Sequence, residues 1–510
     1  METLRLTDAR RLAAASDADL GLLRDVLERA GYTAENAAAR LSLTGLPISR
    51  LRLLPGFRAA QPADPLDALI RLFLLGIPVN RRAAAEALHP LPLRSLETIG
   101  LAESRDQDAV PLVRLYPVSG LILAHDPHEI LPGAAAPGDF VPGCTDCTNT
   151  LLEFTVRGPA RSFLDLGTGN GVHAIAAARH SARVWATDRS GRALQFACFN
   201  ARLNGVTNVE FRRGDRFEPV RGLRFDRIVS NPPFLIAPGR RYTYRDSGMR
   251  GDDFCRSLVR QAPDWLEENG LATFIAEWIH PKGGDPQRRL CEWFAGIGCD
   301  ALVLRLDTRS PSSYADGWIR DTESAAPERW GPLYEQYLAY YEELGAEAIS
   351  SGVIILRKRS AVPRHRLRFD EVLSQRLTPV GDWVLFAFEL GDALEKLDDE
   401  ALLAERLRLN PGTRLEQEAV CTDNCWRPAR AGLHLVSGLE FRAPADPRIV
   451  GLLARSGGKT PLGALLAGMA EALHTDAGRL AQTLLPVVRG LVERGFLVPE
   501  SVALPGENRR

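Results

Sequence analysis

The chain has 510 residues, of which 45% are hydrophobic and 25% charged, and its formal net charge is −1. That is the make-up of a soluble globular protein with length for about three domains. It excludes a mainly disordered chain, and the bulk charge argues against a polybasic nucleic-acid coat or a binder of membrane surfaces, leaving room for local patches. No stretch approaches the roughly 18 uninterrupted apolar residues of a membrane span. The opening METLRLTDARRLAAASDADLG carries acids and no apolar run, so no secretory signal is expected. Eight cysteines are sparse for this length and read as reduced thiols of a cytoplasmic protein.

Two Pro/Gly-rich stretches divide the chain, one over 125–143 and one after Arg359. They predict an N-terminal domain over 1–130, a central domain over 131–360 and a C-terminal domain over 361–510. The N-terminal domain opens helical, with Leu20, Leu23, Val26 and Leu27 at helical spacing and Gly31 closing the pattern. Pro65 starts a second helix, with Leu66, Leu69, Ile70 and Phe73 on one face. A third helix is predicted over 81–88, then two short strands over 110–116 and 121–124. Helices followed by a hairpin suggest a winged helix.

In the central domain, short β-rich runs at 162–165, 184–188, 209–212, 227–230 and 271–276 alternate with helical stretches at 172–179, 192–204 and 254–267. Such alternation predicts a parallel sheet covered on both faces. Two later strands, 301–306 and 353–356, flank a long insertion that holds Trp318, Trp330 and a Tyr-rich helix near 334–344. In the C-terminal domain, helices over 449–453, 461–473 and 477–494 precede the short run GFLVPE. That is again winged-helix-like, although a plain helical packing domain fits as well.

Four motifs carry the chemistry. The first is FLDLGTGNG, in which an apolar strand reaches Asp165 and then Gly167, Gly169 and Gly171 before a helix. Glycines there let the backbone turn tightly and approach a ligand. By itself such a loop also fits a dinucleotide binder, although the third glycine comes one residue early for that fingerprint. The second motif is VWATD, whose Asp188 ends the next strand and can accept from two ribose hydroxyls. The third is Gly214–Asp215, where the acid can bind an adenine amine, although Gly-Asp pairs also favour ordinary turns. The fourth is FDRIVSNPPF, where a strand runs out into Asn231, Pro232, Pro233 and Phe234. Two prolines stiffen the backbone and remove two N–H donors, which leaves carbonyls to accept. A planar NH₂ group can donate to the Asn231 oxygen and the Pro232 carbonyl while Phe234 stacks on it. The gain is positioning and electrostatics.

Together these residues resemble the class I S-adenosylmethionine-dependent methyltransferases that carry an NPPF or NPPY motif. The likeness covers about residues 150–357. That branch methylates planar nitrogens and includes DNA adenine-N6, ribosomal RNA guanine-N2 and release-factor glutamine-N5 enzymes. The resemblance implies an α/β, Rossmann-like seven-stranded core with an antiparallel last strand, flanked here by mainly helical, winged-helix-like end domains. It implies S-adenosylmethionine as cofactor, with Asp165, Gly167, Gly169 and Gly171 at its methionine end, Asp188 on the ribose and Asp215 on the adenine. It places Asn231, Pro232, Pro233 and Phe234 on the target nitrogen. Phe in the last motif position is more usual among the ribosomal RNA guanine enzymes, and Tyr among the glutamine enzymes.

Several features lie beside these motifs. After NPPF, Arg240, Arg241, Arg245 and Arg250 interleave with Tyr242 and Tyr244. Such a loop is either a phosphate- and base-binding substrate lip or a solvated loop balanced by Asp246, Asp252 and Asp253. Glu277 or His280, ending the fifth core strand, is placed to contact substrate, although transfer from a sulfonium needs no strong base. Cys144 with Cys147 and Cys421 with Cys425 have the look of zinc half-sites, yet they lie far apart in sequence. Free thiols are the better reading, so no metal is assigned, and the segment around Cys144 is placed to line the cofactor pocket. His173 is expected on a helix surface. The leading expectation is methylation of an exocyclic base amine in RNA, ribosomal RNA first. The alternative is glutamine-N5 methylation of a translation protein. A non-catalytic scaffold is disfavoured by the complete motif set. The partners are thus RNA or a translation protein, with no membrane.

Overall fold

The computed structural model describes residues 7–46, 62–127, 139–240, 242, 244–323, 327–372, 379–422 and 424–507. Two compact units form. One holds residues 1–152 and 159–370, and the other holds 153–158 and 371–510. Most of the Pro/Gly-rich stretch over 125–143 lies outside the described residues, as does Arg241. Among the described residues no helix is long and apolar enough to cross a membrane.

In the first unit, Pro65–Leu69 starts a helix capped by Asp64, whose carboxylate accepts from Asp67 N–H at 2.8 Å. Then follow β1 (Val79–Asn80), helices Arg81–Leu88 and Leu93–Ile99, β2 (Ala102–Arg105) and β3 (Asp108–Pro111). β1 pairs with β3, and β3 with β2. This is the helix–strand–helix–helix–hairpin order of a winged helix. The single strand predicted over 110–116 is instead two, because the chain breaks at Leu112 and Val113. β4 (Arg114–Val118) then pairs with β5 (Leu121–His125) in a separate hairpin.

The core sheet is built from β6 (Ala160–Leu166), β7 (Ser181–Asp188), β8 (Val209–Arg213), β9 (Phe225–Ser230), β10 (Leu266–Pro281), β11 (Cys299–Arg309), β12 (Ala346–Lys358) and β13 (Leu367–Glu371). Its order is β13-β11-β12-β10-β9-β6-β7-β8. β6 to β10 run parallel through β9, and β12 is antiparallel to both β10 and β11. The Rossmann-like arrangement with an antiparallel strand is thus present, and β13 adds an eighth strand at one edge. Apolar runs such as Phe163–Leu164 and Ile354–Leu356 are fully buried, as both faces of the sheet are covered. Strands come out longer than their apolar cores suggest. β10, for example, runs 16 residues because β12 supports it beyond the end of β9.

The N-terminal helices dock on the core helix Gly191–Leu203. Arg24 donates to the carbonyls of Leu203 and Arg202, each at 2.8 Å, and so satisfies groups that a helix end leaves open. Arg202 answers by donating to the carbonyls of Ala13 at 3.0 Å and Ala15 at 2.6 Å.

In the second unit, helices Gly381–Glu395 and Asp399–Ala404 lead into β14 (Arg406–Leu409). A long hairpin of β15 (Thr413–Thr422) and β16 (Cys425–Leu435) follows, edged by β17 (Arg442–Pro444). Helix Pro447–Arg455, β18 (Gly457–Pro461), helices Leu462–Ala472 and Ala477–Glu493 and β19 (Leu497–Pro499) complete it. β14 lies between β18 and β19, so the middle strand of this small sheet comes from before its helices. The hairpin was not anticipated in the sequence. Its outer strand is exposed along nearly its whole length and lacks an apolar alternation strong enough to announce it.

Candidate functional site

The parallel strands β6, β7, β8 and β9 end along one edge of the sheet, the edge where open α/β folds bind ligands. Asp165 sits next to the end of β6, beside Ala186 of β7 and Val229 of β9. It is fully buried. Its Oδ2 accepts from Thr168 Oγ1 at 2.6 Å and from Ala174 N–H at 3.0 Å. Its Oδ1 has no hydrogen-bond partner among the described residues. Burial pushes this carboxyl up to about 7, against the pull of the Thr168 and Ala174 hydrogen bonds.

The glycine loop follows. Gly167 and Thr168 both donate to the Thr187 carbonyl, at 2.9 and 2.8 Å. Gly167, Gly169 and Gly171 all have positive φ. They differ in what surrounds them. A Cβ at Gly171 would meet Ala197 Cβ at 2.9 Å, so this glycine is needed for helix packing. A Cβ at Gly167 or Gly169 would meet nothing within 4 Å, so the backbone there borders open space. An unpartnered carboxylate oxygen and an open cradle of backbone fit the amino-acid end of the expected cofactor.

Asp188 is half-buried at the end of β7. Its Oδ2 accepts the Gly169 N–H at 3.0 Å and its Oδ1 the Ser190 N–H at 2.8 Å. Burial raises its pKa, while those two backbone donors lower it. Each oxygen keeps a second lone pair for a hydroxyl. Gly214 N–H donates to the Asp188 carbonyl at 3.1 Å, which brings the Asp215 turn to the same corner. Asp215 itself is exposed and lies 3.3 Å from the Arg216 guanidinium.

Ser230 Oγ donates to the Leu166 carbonyl at 2.6 Å, tying the exit of β9 to the start of the glycine loop. Asn231, Pro233 and Phe234 are half-buried and Pro232 is buried. The Asn231 side chain makes no hydrogen bond among the described residues. The Phe234 ring lies edge-on to Trp318, with centroids 6.4 Å apart. The structure thus brings Asp165, the three glycines, Asp188, Asp215 and the NPPF quartet to one sheet edge.

The chain after the motif is held from the insertion. Tyr314 hydroxyl donates to Glu277 Oε2 and accepts from Ile236 N–H at 3.3 Å. Tyr341 hydroxyl donates to the Ile236 carbonyl at 2.9 Å. The Arg/Tyr loop is divided: Arg240 and Arg250 are exposed, while Tyr242 and Arg245 turn inward. Arg245 is buried, pairs with Asp246 at 2.8 Å and donates to Thr322 Oγ1 at 2.9 Å. Its guanidinium lies over the Tyr242 ring at 4.8 Å. Tyr242 hydroxyl donates to Glu323 at 3.2 Å, and Tyr244 packs on Phe140 with centroids 5.9 Å apart. Arg250 pairs with Glu343. Arg245 and Tyr242 are therefore committed to the protein and not presented as a lip.

A segment the motifs did not mark lies over the glycine loop. Asn170 Nδ2 donates to the Pro142 carbonyl at 3.2 Å, and Val141 N–H donates to Asp126 Oδ2 at 2.8 Å. Asp126 is buried and pairs with Arg192. Asn200, also buried, accepts from Ala124 N–H at 2.7 Å and donates to the carbonyls of Ala124 at 3.0 Å and Asn170 at 2.8 Å. One amide thus serves both the edge of β5 and the glycine loop. A clue was in the sequence: Asn200 lies among Phe196, Ala197, Phe199, Ala201 and Leu203, and Asn204 follows four residues on at the helix end.

His173 is buried, not on a helix surface, and burial pushes its imidazole down to about 3. His280 Nε2 lies 2.8 Å from Ser350 Oγ. Cys144 is buried and Cys147 half-buried, while Cys421 and Cys425 lie near the tip of the β15–β16 hairpin, opposite Trp426 and Thr422 respectively. That register points the latter pair to opposite faces. Among the described residues no three His, Cys, Asp or Glu side chains gather as metal ligands would.

Residues 134–281 match the family model described as the methyltransferase small domain. Residues 29–112 and 392–499 each match a family described only as a domain of unknown function. The release factor glutamine methyltransferase of Xylella fastidiosa is 38% identical over 178 residues, 32% of this chain and 63% of that protein. The ribosomal protein uL3 glutamine methyltransferase of Bradyrhizobium diazoefficiens is 37% identical over 121 residues, 21% of this chain and 38% of that protein. The ribosomal RNA small subunit methyltransferase C of Alcanivorax borkumensis is 31% identical over 145 residues, 28% and 41% of the two chains. The chain therefore spans less than two thirds of the length of each. The class I methyltransferase resemblance read from the glycine loop and the NPPF quartet is shared by the matched family and by these relatives.

Proposed function

We propose that the central domain binds S-adenosylmethionine and methylates a planar nitrogen in a component of translation. The observation that carries this reading is the half-buried Asn231 amide, free of hydrogen bonds among the described residues. It stands at the end of β9 beside Phe234, and Ser230 joins that strand end to the glycine loop at 2.6 Å.

The cofactor supplies the methyl group as an electrophile. The chain's own residues do the rest. Asp165 Oδ1 and the open backbone at Gly167 and Gly169 hold the amino-acid end, with Gly171 fixing the loop against its helix. Asp188 accepts from the ribose hydroxyls and Asp215 from the adenine amine. Asn231 Oδ1 and the Pro232 carbonyl accept the two N–H groups of the acceptor, and Pro233 keeps the turn rigid. Phe234 stacks on the planar group, so the nitrogen is oriented and its lone pair is drawn out of conjugation. Its proton passes to water after transfer.

Two acceptors remain. An exocyclic base amine in ribosomal RNA is supported by the winged-helix order of the N-terminal region and by the ribosomal RNA relative. A protein glutamine is supported by the two glutamine-modifying relatives and by the burial of Arg245 and Tyr242, which takes one arginine and one tyrosine of the loop out of reach of a phosphate or base while Arg240 and Arg250 stay exposed. We favour the glutamine acceptor on those two grounds together. Purified ribosomes and release factor from the source organism, incubated with methyl-labelled S-adenosylmethionine, decide it. Protease-sensitive label is expected, and label removed by RNase but not by protease overturns the choice.

A further inference from the structure

Glu277 takes no part in the reading above, yet its place is specific. β9 ends at Ser230, opposite Phe274, while β10 continues to Pro281 with β12 on its other side. Beyond Ser230 the chain leaves the sheet at Asn231, and the β10 residues that follow Phe274 are left without β9 beside them. There Ala276 and Trp278 join the core cluster of one face, while Ile279 joins Leu235, Ile236, Tyr314 and Tyr341 on the other. Glu277 alternates with Ala276 and Trp278, so it shares the face of the chain that leaves the acceptor motif. It is 3% exposed. Its Oε2 accepts from Tyr314, whose hydroxyl also receives the N–H of Ile236, two residues after Phe234. Its other oxygen makes no hydrogen bond among the described residues.

The acceptor motif mostly accepts. Asn231 Oδ1 and the Pro232 carbonyl are acceptors and the two prolines have no N–H, so within the quartet only Asn231 Nδ2 and the Phe234 N–H are left to donate. Every planar amide or base amine carries a hydrogen-bond acceptor on the same carbon as the NH₂, either an oxygen or a ring nitrogen. Buried without a donor, that atom costs about 1–3 kcal/mol. We propose, on the methyl-transfer reading above, that Glu277 is this donor: through its free oxygen it hydrogen-bonds the oxygen or ring nitrogen beside the target nitrogen. Tyr314 sets its position. The site then selects amide-like groups, N–C=O or N–C=N, over alkyl amines, which have no such atom.

The surroundings keep the carboxyl protonated, as a donor must be. Burial pushes it up to about 8, with Tyr314 and Arg309 pulling the other way and Asp307 adding to the rise. The groups that face it are Tyr314 and Tyr341 from the insertion helices, Asp307 and Arg309 from β11, and Cys147 from a further helix, while Cys255 packs with Ala276 and Trp278 on the other face of β10 and reaches the Glu277 backbone.

The test uses the full chain with labelled S-adenosylmethionine and the ribosome and release-factor acceptors. E277A is expected to lower kcat/KM for the acceptor at least thirtyfold with cofactor Kd within twofold. E277Q, which keeps a neutral donor, is expected to stand at least tenfold above E277A. The rate of the unmodified protein should fall as pH rises through about 8, and that of E277Q should not. An E277A variant within threefold of the unmodified protein overturns the proposal. So does an inactive E277Q combined with a rate that rises through the same pH range, because Glu277 would then be a base. A separate reading needs no acceptor: the infrared difference between the protein and E277Q should show a carboxylic-acid C=O band at pH 7, and its absence overturns the proposal. If instead N231A transfers label as well as the unmodified protein, or no protein transfers any, the methyl-transfer reading itself has failed.

Discussion

The carboxylate of Asp188 accepts the N–H of Gly169 at 3.0 Å, so the acid that ends β7 also shapes the middle of the glycine loop. Asp188→Ala removes a charged acceptor from the ribose and slackens that loop. We expect cofactor affinity to fall by about 1.5–3 kcal/mol, measured by calorimetric titration. An unchanged affinity takes Asp188 out of the cofactor site.

The three glycines should separate into two kinds. Gly171→Ala forces a methyl to within 2.9 Å of Ala197 Cβ at φ +88, and should cost about 1–3 kcal/mol of stability in urea unfolding beyond the backbone strain that all three positions pay. Gly167→Ala and Gly169→Ala add a methyl that touches no protein atom, at a backbone cost of about 1–2 kcal/mol. Their methyl enters the space assigned to the cofactor, so affinity should fall more than tenfold. Equal losses of stability in all three would contradict this division.

Asn200 joins β5 to the glycine loop through Ala124 and Asn170. Asn200→Ala leaves a buried N–H and two carbonyls short of a partner. A loss of about 2–4 kcal/mol is expected. Cofactor affinity should weaken with it, since the Asn170 carbonyl is released. A loss under about 1 kcal/mol with unchanged affinity would show that the loop stands without this support.

Stability should depend on pH in two directions. Glu277 and Asp165 are pushed up to about 8 and about 7 by burial. Unfolded, both ionise near pH 4, so between there and neutrality the unfolded chain releases protons that the folded chain keeps. Stability therefore falls as pH rises across that window. Glu277→Gln should make the slope shallower by about 1.4 kcal/mol per pH unit between pH 5 and pH 7. His173, pushed down to about 3, acts in the opposite sense. Below about pH 6.5 the unfolded chain takes up a proton that the folded chain refuses, and stability is lost as pH falls. Parallel urea-unfolding profiles for the protein and E277Q across pH 5–7 would contradict the burial of a neutral Glu277.

What the sequence disclosed was local. Asp165, its glycines and the NPPF quartet are contiguous, and their backbone demands are written in Gly and Pro. Asp188 and Asp215 could be reached because each follows a short β-rich run, VWAT for the first and VEFRR for the second. Partners supplied from far along the chain were hidden. Tyr314 reaches Glu277 and Ile236 across 37 and 78 residues, and Asn200 reaches Ala124 across 76. The inward turn of Tyr242 and Arg245 was hidden for the same reason. Nothing near Arg245 in sequence shows that Thr322 and Trp318 close over it. His173 was misplaced because the helix after the glycine loop is packed all round, so its periodicity does not mark an outer face.

The central claim is that Asn231 positions an acceptor nitrogen beside a bound methyl donor. The most direct test compares the protein with Asn231→Ala, measuring label transferred from S-adenosylmethionine to the ribosome and release-factor fraction alongside cofactor affinity in the same samples. The account predicts that transfer falls at least a hundredfold, about 2.7 kcal/mol in transition-state terms, while affinity stays within a few-fold. Transfer that survives the substitution would contradict it.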